Sequence, residues 1–162
     1  MTRSIHIPAN GGIPNHPRFA ALVVPGAAPA DIDADGGKAL VQTNGWSGAW
    51  DWGVYDFHHF HPASHEALLC VAGRATLAIG GPEGEEIDVG PGDGLILPAG
   101  TGHRCLSASD DFRVVGCYPP GQESPDIIHA SADAVDRYGT SIAAVPVPEH
   151  DPFTGGAFEG WA

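Results

Sequence analysis

Nine histidines occur in 162 residues, and four of them fall between His58 and His65. Read as a β-strand, the run VYDFHHFH places side chains two apart on one face. His59 and His61 then point the same way, with Tyr55 and Phe57 behind them, while His58 and Phe60 point the other way. Two imidazoles on one strand face lie within bridging reach of one metal ion. Pro62-Ala63-Ser64 breaks the strand, and Glu66 opens the next, where an inward carboxylate could complete half of a coordination shell. His103, just after the turn PAGTG, could approach from a neighbouring strand. Three imidazoles and a carboxylate suit one divalent transition metal ion: Fe, Mn, Ni, Cu, Co or Zn. A lone histidine in a strand is usually a polar residue satisfied by hydrogen bonds. His6, His16, His129 and His150 are read that way, as surface or loop residues, and so is His58, which faces away from the pair. His65 precedes Glu66 and points outward; a hydrogen bond at the turn, or a contact behind the ligands, is preferred to a role as ligand or general base. His65-Glu66 also begins the helical zinc motif H-E-x-x-H, which fails at Leu69.

These residues need strands to position them, and the chain supplies strand signals from Trp46 to Tyr118. Short apolar or alternating runs predict strands over 46–52, 54–61, 66–72, 74–80, 85–89, 94–98, 103–108 and 112–118. Gly, Pro and Asp punctuate them at the spacing of an antiparallel sandwich or barrel. Residues 1–45 read as an irregular, Pro-punctuated extension packed on the barrel. A short helix is expected over 31–43, capped by Asp31 or Asp33 and ended by Asn44-Gly45. Residues 121–162 form a second extension, with a short helix or turn over 126–138 and a tail whose Phe153, Phe158 and Trp161 must pack back on the barrel or on a second subunit. Trp46, Trp50 and Trp52 share one parity and are read as core or subunit interface, with Gly48 interrupting their strand.

Composition narrows the partners. Seven Lys and Arg stand against 20 Asp and Glu, a net charge of −13 that opposes nucleic acid and anionic membranes. The longest apolar runs are too short to span a bilayer. Three cysteines without a C-x-x-C pair, and an opening stretch without a signal-like apolar run, predict reduced thiols and a cytoplasmic location. Walker A, G-x-S-x-G and dinucleotide-binding motifs are absent.

The spacing Gly53, five residues, His59-Phe60-His61, four residues, Glu66, six residues, Gly73 resembles the first motif of the cupin superfamily. Gly92, five residues, Pro98-Ala99-Gly100, two residues, His103 resembles the second, with Ser107 where Asn is usual. IPNHP, NGW, PAGTGH, SASDDF, YPPGQ and DPFTGG extend the likeness across most of the chain to the YjlB-like branch of the cupins. The resemblance implies an all-β fold: a single cupin (double-stranded β-helix, jelly-roll) barrel over 46–120 with one or two short helices outside it. It implies His59, His61, Glu66 and His103 as ligands of one divalent ion, with two positions left for water, oxygen or a chelating substrate. By shared inward parity Tyr55, Phe57, Leu68, Cys70 and Cys105 are expected to line a mainly apolar substrate pocket, against the plainer reading of them as barrel core. Expected activities are an iron-type dioxygenase or related oxidoreductase on a small organic substrate, with a metal-dependent isomerase or lyase, or a non-catalytic binding cupin, as alternatives. A homodimer is the expected assembly.

Overall fold

Residues 66–72 carry apolar side chains on both faces, so this stretch requires cover on both sides. In the computed structural model, which describes residues 1–162, the strands are β1 (Arg3–Ile5), β2 (Ala21–Val24), β3 (Ser47–Trp52), β4 (His59–Phe60), β5 (Glu66–Ala72), β6 (Ala75–Ile79), β7 (Glu85–Val89), β8 (Gly94–Leu97), β9 (His103–Ala108), β10 (Arg113–Tyr118) and β11 (Ile128–His129). Helices α1 (Ala34–Thr43) and α2 (Ala134–Ala143) lie outside them. A six-stranded sheet runs β1-β2-β8-β5-β10-β3 and a five-stranded sheet runs β11-β4-β9-β6-β7, with antiparallel pairing throughout.

Alternation along β5 builds two cores. Leu68 and Cys70 face inward with Leu77, Ile79, Leu95, Leu97 and Val114. Ala67, Leu69 and Val71 face outward, where Val41 of α1, Trp46 and Phe153 of the tail cover them. The tail thus packs back on the barrel of its own chain: Trp161 stacks on Phe19 at 5.0 Å and donates its indole N–H to the Ala20 carbonyl at 2.8 Å.

Several expectations shift by local chemistry. Of the strand expected over 54–61, only His59–Phe60 enters a ladder. Upstream the chain bends: the Tyr55 carbonyl accepts from the Cys105 N–H, and the Asp56 carbonyl accepts from the Arg104 guanidinium. The N-terminal stretch is less irregular than its prolines suggest, because Ala21–Val24 pairs with β8 and brings β1 with it. Residues 128–129 pair with β4, which delays the second helix to Ala134. The first helix starts where Asp33 accepts the Gly36 N–H at 2.7 Å.

His16, read as a surface or loop residue satisfied by hydrogen bonds, lies on a loop and is only 2% exposed. Its Nδ1 accepts the N–H groups of Arg18 and Phe19 at 3.1 and 2.9 Å, and its ring stacks on Phe19 at 4.3 Å. Burial, followed by the charges of Arg18 and His6, lowers it from the ordinary 6.5 to about 4. The unfolded chain therefore takes up this proton first, so its stabilising effect is complete above about pH 6.5 and declines from there down to about pH 4. His16→Asn, which can still accept both N–H groups, is expected to flatten the acid limb of a urea-midpoint profile between those values, by up to about 1.4 kcal/mol per pH unit. Parallel profiles for variant and parent would show that His16 is not the group responsible.

Candidate metal centre

His59 and His103 are direct cross-strand partners between β4 and β9. Their ring centroids lie 4.0 Å apart, and that of His61, just past the end of β4, lies 5.7 Å from His59 and 5.3 Å from His103. One ligand atom from each of the three falls within 4.8 Å of the others, and all three residues are buried. The PAG turn sets the height of the site. Gly100 adopts φ +83°, a conformation that a side chain disfavours, and its N–H bonds to the His61 carbonyl at 2.9 Å. Asn15, the one non-glycine residue with positive φ, accepts the Gly102 N–H at 3.0 Å and so ties the IPNHP segment to the turn before His103.

Each imidazole is oriented by its outer nitrogen. Nδ1 lies 3.0 Å from the Phe57 carbonyl in His59, 2.8 Å from the Asp126 carbonyl in His61 and 3.1 Å from the Thr101 carbonyl in His103. A carbonyl only accepts, so Nδ1 carries the proton and Nε2 keeps its lone pair. Glu66 Oε1 sits 3.5 Å from Nε2 of His61 and 3.2 Å from Nε2 of His103, buried and without an aligned hydrogen bond. Burial alone would raise the Glu66 carboxyl, but His61 and His103 hold it well below the usual carboxylate range. Burial, then the neighbouring His103, lowers His59 to about 3, whereas Glu66 outweighs burial at His61 and raises it. The three buried imidazoles form a cluster that could hold a metal ion, and the orphaned Oε1 of Glu66 lies beside it.

These side chains border a cavity of about 220 Å³, walled by Trp50, Trp52, Val54, Tyr55, Leu68, Tyr118, Pro125 and Ile127. Tyr55 and Leu68 are thus placed at the cavity, and Phe57, Cys70 and Cys105 are not. Cys70 points inward as parity requires, but it lies deeper, in the barrel core, with Cys105 packed against that core. Burial raises both thiols. Phe57 sits on the bent segment and stacks on His129 at 4.2 Å. His65 is fully buried on the outer side of β5, where its Nδ1 accepts the Ala99 N–H at 2.8 Å, the turn bond that its sequence position suggests.

Trp50 and Trp52, expected in the core or a subunit interface, line the cavity, as do Val54, Tyr118, Pro125 and Ile127, which the sequence does not mark as pocket residues. The tryptophan parity held the signal for two of them. Trp50 and Trp52 share the cavity face, while Trp46, beyond Gly48 (φ +65°), turns into the outer core. Pro125 and Ile127 belong to a loop latched by Gln122, whose side chain accepts the His65 N–H at 2.9 Å and donates to the Pro146 carbonyl at 3.1 Å.

Two facing antiparallel sheets with a histidine cluster at one end of their interior define the class, and residues 53–115 match the family described as Cupin domain. The chain belongs to the cupin family. It is 34% identical over 154 residues to the uncharacterized protein YjlB of Bacillus subtilis (strain 168), covering 95% of this chain and 91% of that one. It is also 32% identical over 96 residues to a quercetin 2,3-dioxygenase of the same organism, covering 59% of this chain but only 26% of that protein. Among solved structures, it is similar to the WlaRB TDP-quinovose 3,4-ketoisomerase of Campylobacter jejuni, with a TM-score of 0.45 and 16% identity over 55% of this chain and 73% of that one. No helix is long and apolar enough to cross a membrane.

Proposed function

We propose that His59, His61, Glu66 and His103 hold one divalent metal ion, and that the protein is an iron-type oxygenase acting on a small apolar organic molecule. The observation that carries this reading is the set of buried Nε2 atoms, each fixed by a carbonyl at Nδ1, beside the orphaned Oε1 of Glu66. When bound, such an ion supplies Lewis acidity and the electrons that dioxygen chemistry requires. The chain's own residues do the rest. The three carbonyls hold a proton at each Nδ1 and keep each Nε2 aimed. Trp50, Val54, Leu68 and Ile127 provide an apolar wall that receives the substrate body and excludes water.

Two features favour oxygen chemistry over an isomerase or lyase. The cavity is bordered by no acid other than Glu66 and by no lysine or arginine, so it lacks the acid/base pair that proton transfer between carbons uses. The likeness to quercetin 2,3-dioxygenase points the same way. Protein purified without chelator is expected to carry about one iron per chain by elemental analysis. Iron-loaded protein is expected to consume oxygen with at least one member of a panel of diketones, enediols and hydroxy acids. His59→Ala should abolish that uptake in protein that stays folded. Metal-loaded protein that consumes no oxygen but interconverts a carbonyl compound would move the assignment to the isomerase reading. Metal with no turnover at all would leave a binding cupin.

A further inference from the structure

Among the cavity's side chains, Trp50, Trp52, Tyr55 and Tyr118 carry N–H or O–H groups outside the four proposed ligands, and of the two phenols only that of Tyr118 is buried. The Trp50 indole N–H donates to the Tyr118 hydroxyl oxygen at 2.7 Å. That bond polarises Tyr118 as a donor and leaves it one proton, which faces the Glu66 carboxylate and any ligand oxygen beside it. Tyr118 is only 5% exposed, and it borders the cavity together with Glu66 and the three histidines.

The arrangement is built into the two strands. Trp50 on β3 pairs with Gly116 on β10, and a Cβ at Gly116 would collide with the indole ring. The indole can therefore lie flat against the backbone of β10 with its N–H reaching the phenol two residues on. The register of the pair shifts between Gly116 and Tyr118, and irregularities of this kind re-aim side chains beside functional sites. Since no lysine or arginine borders the cavity, a negatively charged ligand oxygen there would be met by a metal ion and by neutral donors, of which the Tyr118 hydroxyl is the buried phenol beside Glu66.

We infer that Tyr118 is a binding residue of the cavity, donating its O–H to an ionised oxygen of the ligand, so that the site selects enolate, phenolate or catecholate oxygens carried on an apolar body. This rests on the proposed metal site. The test uses the full chain loaded with cobalt(II), titrated with 4-nitrocatechol and, separately, with imidazole, and followed by visible absorption. Tyr118→Phe is expected to keep one cobalt per chain and an unchanged cobalt spectrum. It should weaken 4-nitrocatechol about tenfold or more, as loss of a hydrogen bond to a charged group does. Imidazole accepts no hydrogen bond once its basic nitrogen is on the metal, so its affinity should stay within about twofold. Trp50→Phe, which removes the polarising N–H, is expected to weaken 4-nitrocatechol selectively but less. Equal 4-nitrocatechol affinity in parent and Tyr118→Phe would overturn the inference and leave the metal site standing. Joint loss of cobalt and both probes in Tyr118→Phe would also overturn it, by making Tyr118 a support of Glu66. Failure of the parent protein to take up cobalt would overturn the metal reading itself, and this inference with it.

Discussion

His103→Ala is expected to weaken metal binding by more than about 100-fold, and His103→Gln by a similar factor. Loss of a single outer-shell partner costs about 10- to 100-fold in metal affinity, and His103 offers a ligand atom directly. The pair separates metal binding from folding. In metal-free protein, Glu66 is a buried carboxylate held ionised by His61 and His103, whose Nε2 lies 3.2 Å from Oε1. Alanine removes that partner and leaves the charge less compensated, a change that costs about 3–5 kcal/mol when a buried pair is broken outright. Glutamine can turn an amide N–H toward Glu66 and offers no imidazole lone pair. His103→Ala should therefore lose both metal and melting temperature, and His103→Gln should lose metal while melting near the parent. Titration calorimetry with cobalt(II) and thermal melts in chelator check both halves. Parent-like cobalt affinity in either variant would remove His103 from the ligand set.

The clustering of His59 and His61 was legible because it is local. His59 and His61 are tied by strand parity, and Glu66 begins a run of seven residues whose burial leaves only one register open. Strands 66–72, 85–89 and 103–108 were readable to the residue because clear turns bound each run. The segment 54–58 misleads because VYDF alternates like a strand, while its conformation is decided by bonds to Cys105 and Arg104, about fifty residues away. Parity also told which way Cys70 points but not how deep it lies. Depth depends on where the two sheets close on each other, and that is a property of the whole barrel. The outer wall of the cavity was illegible for a similar reason. Pro125 and Ile127 reach it through a loop without periodicity, held by Gln122 to Pro146 and by the Asp126 carbonyl to His61. The loop place of His16 was legible but its burial was not, because nothing adjacent to it in sequence announces that Trp161 stacks on Phe19 and closes the same cluster.

That cluster leads to the second large effect: removal of residues 150–162 is expected to unfold most of the chain at 37 °C. Phe153 is buried, and its ring rests against Gly94 of β8, where a Cβ would meet it at 2.6 Å. Phe158 and Trp161 pack on the same outer core. At about 25 cal/mol per Å² and about 150–250 Å² per aromatic, the three side chains contribute on the order of 10 kcal/mol, comparable with the whole stability of a small domain. The deletion also removes acceptors: the buried Trp46 indole loses the His150 carbonyl and Asn44 loses the Pro152 carbonyl, each at 2.8 Å. The outer face of β5 is uncovered beside His65, whose ring centroid lies 4.7 Å from that of Trp161. Because β5 carries Glu66, the metal centre should fail together with the fold. Trp161→Phe keeps a ring for Phe19 and loses the bond to the Ala20 carbonyl, so it should lower the unfolding free energy read from urea melts by about 1–3 kcal/mol and retain cobalt. A truncated protein with the parent's urea midpoint and cobalt content would show that the tail only decorates the barrel.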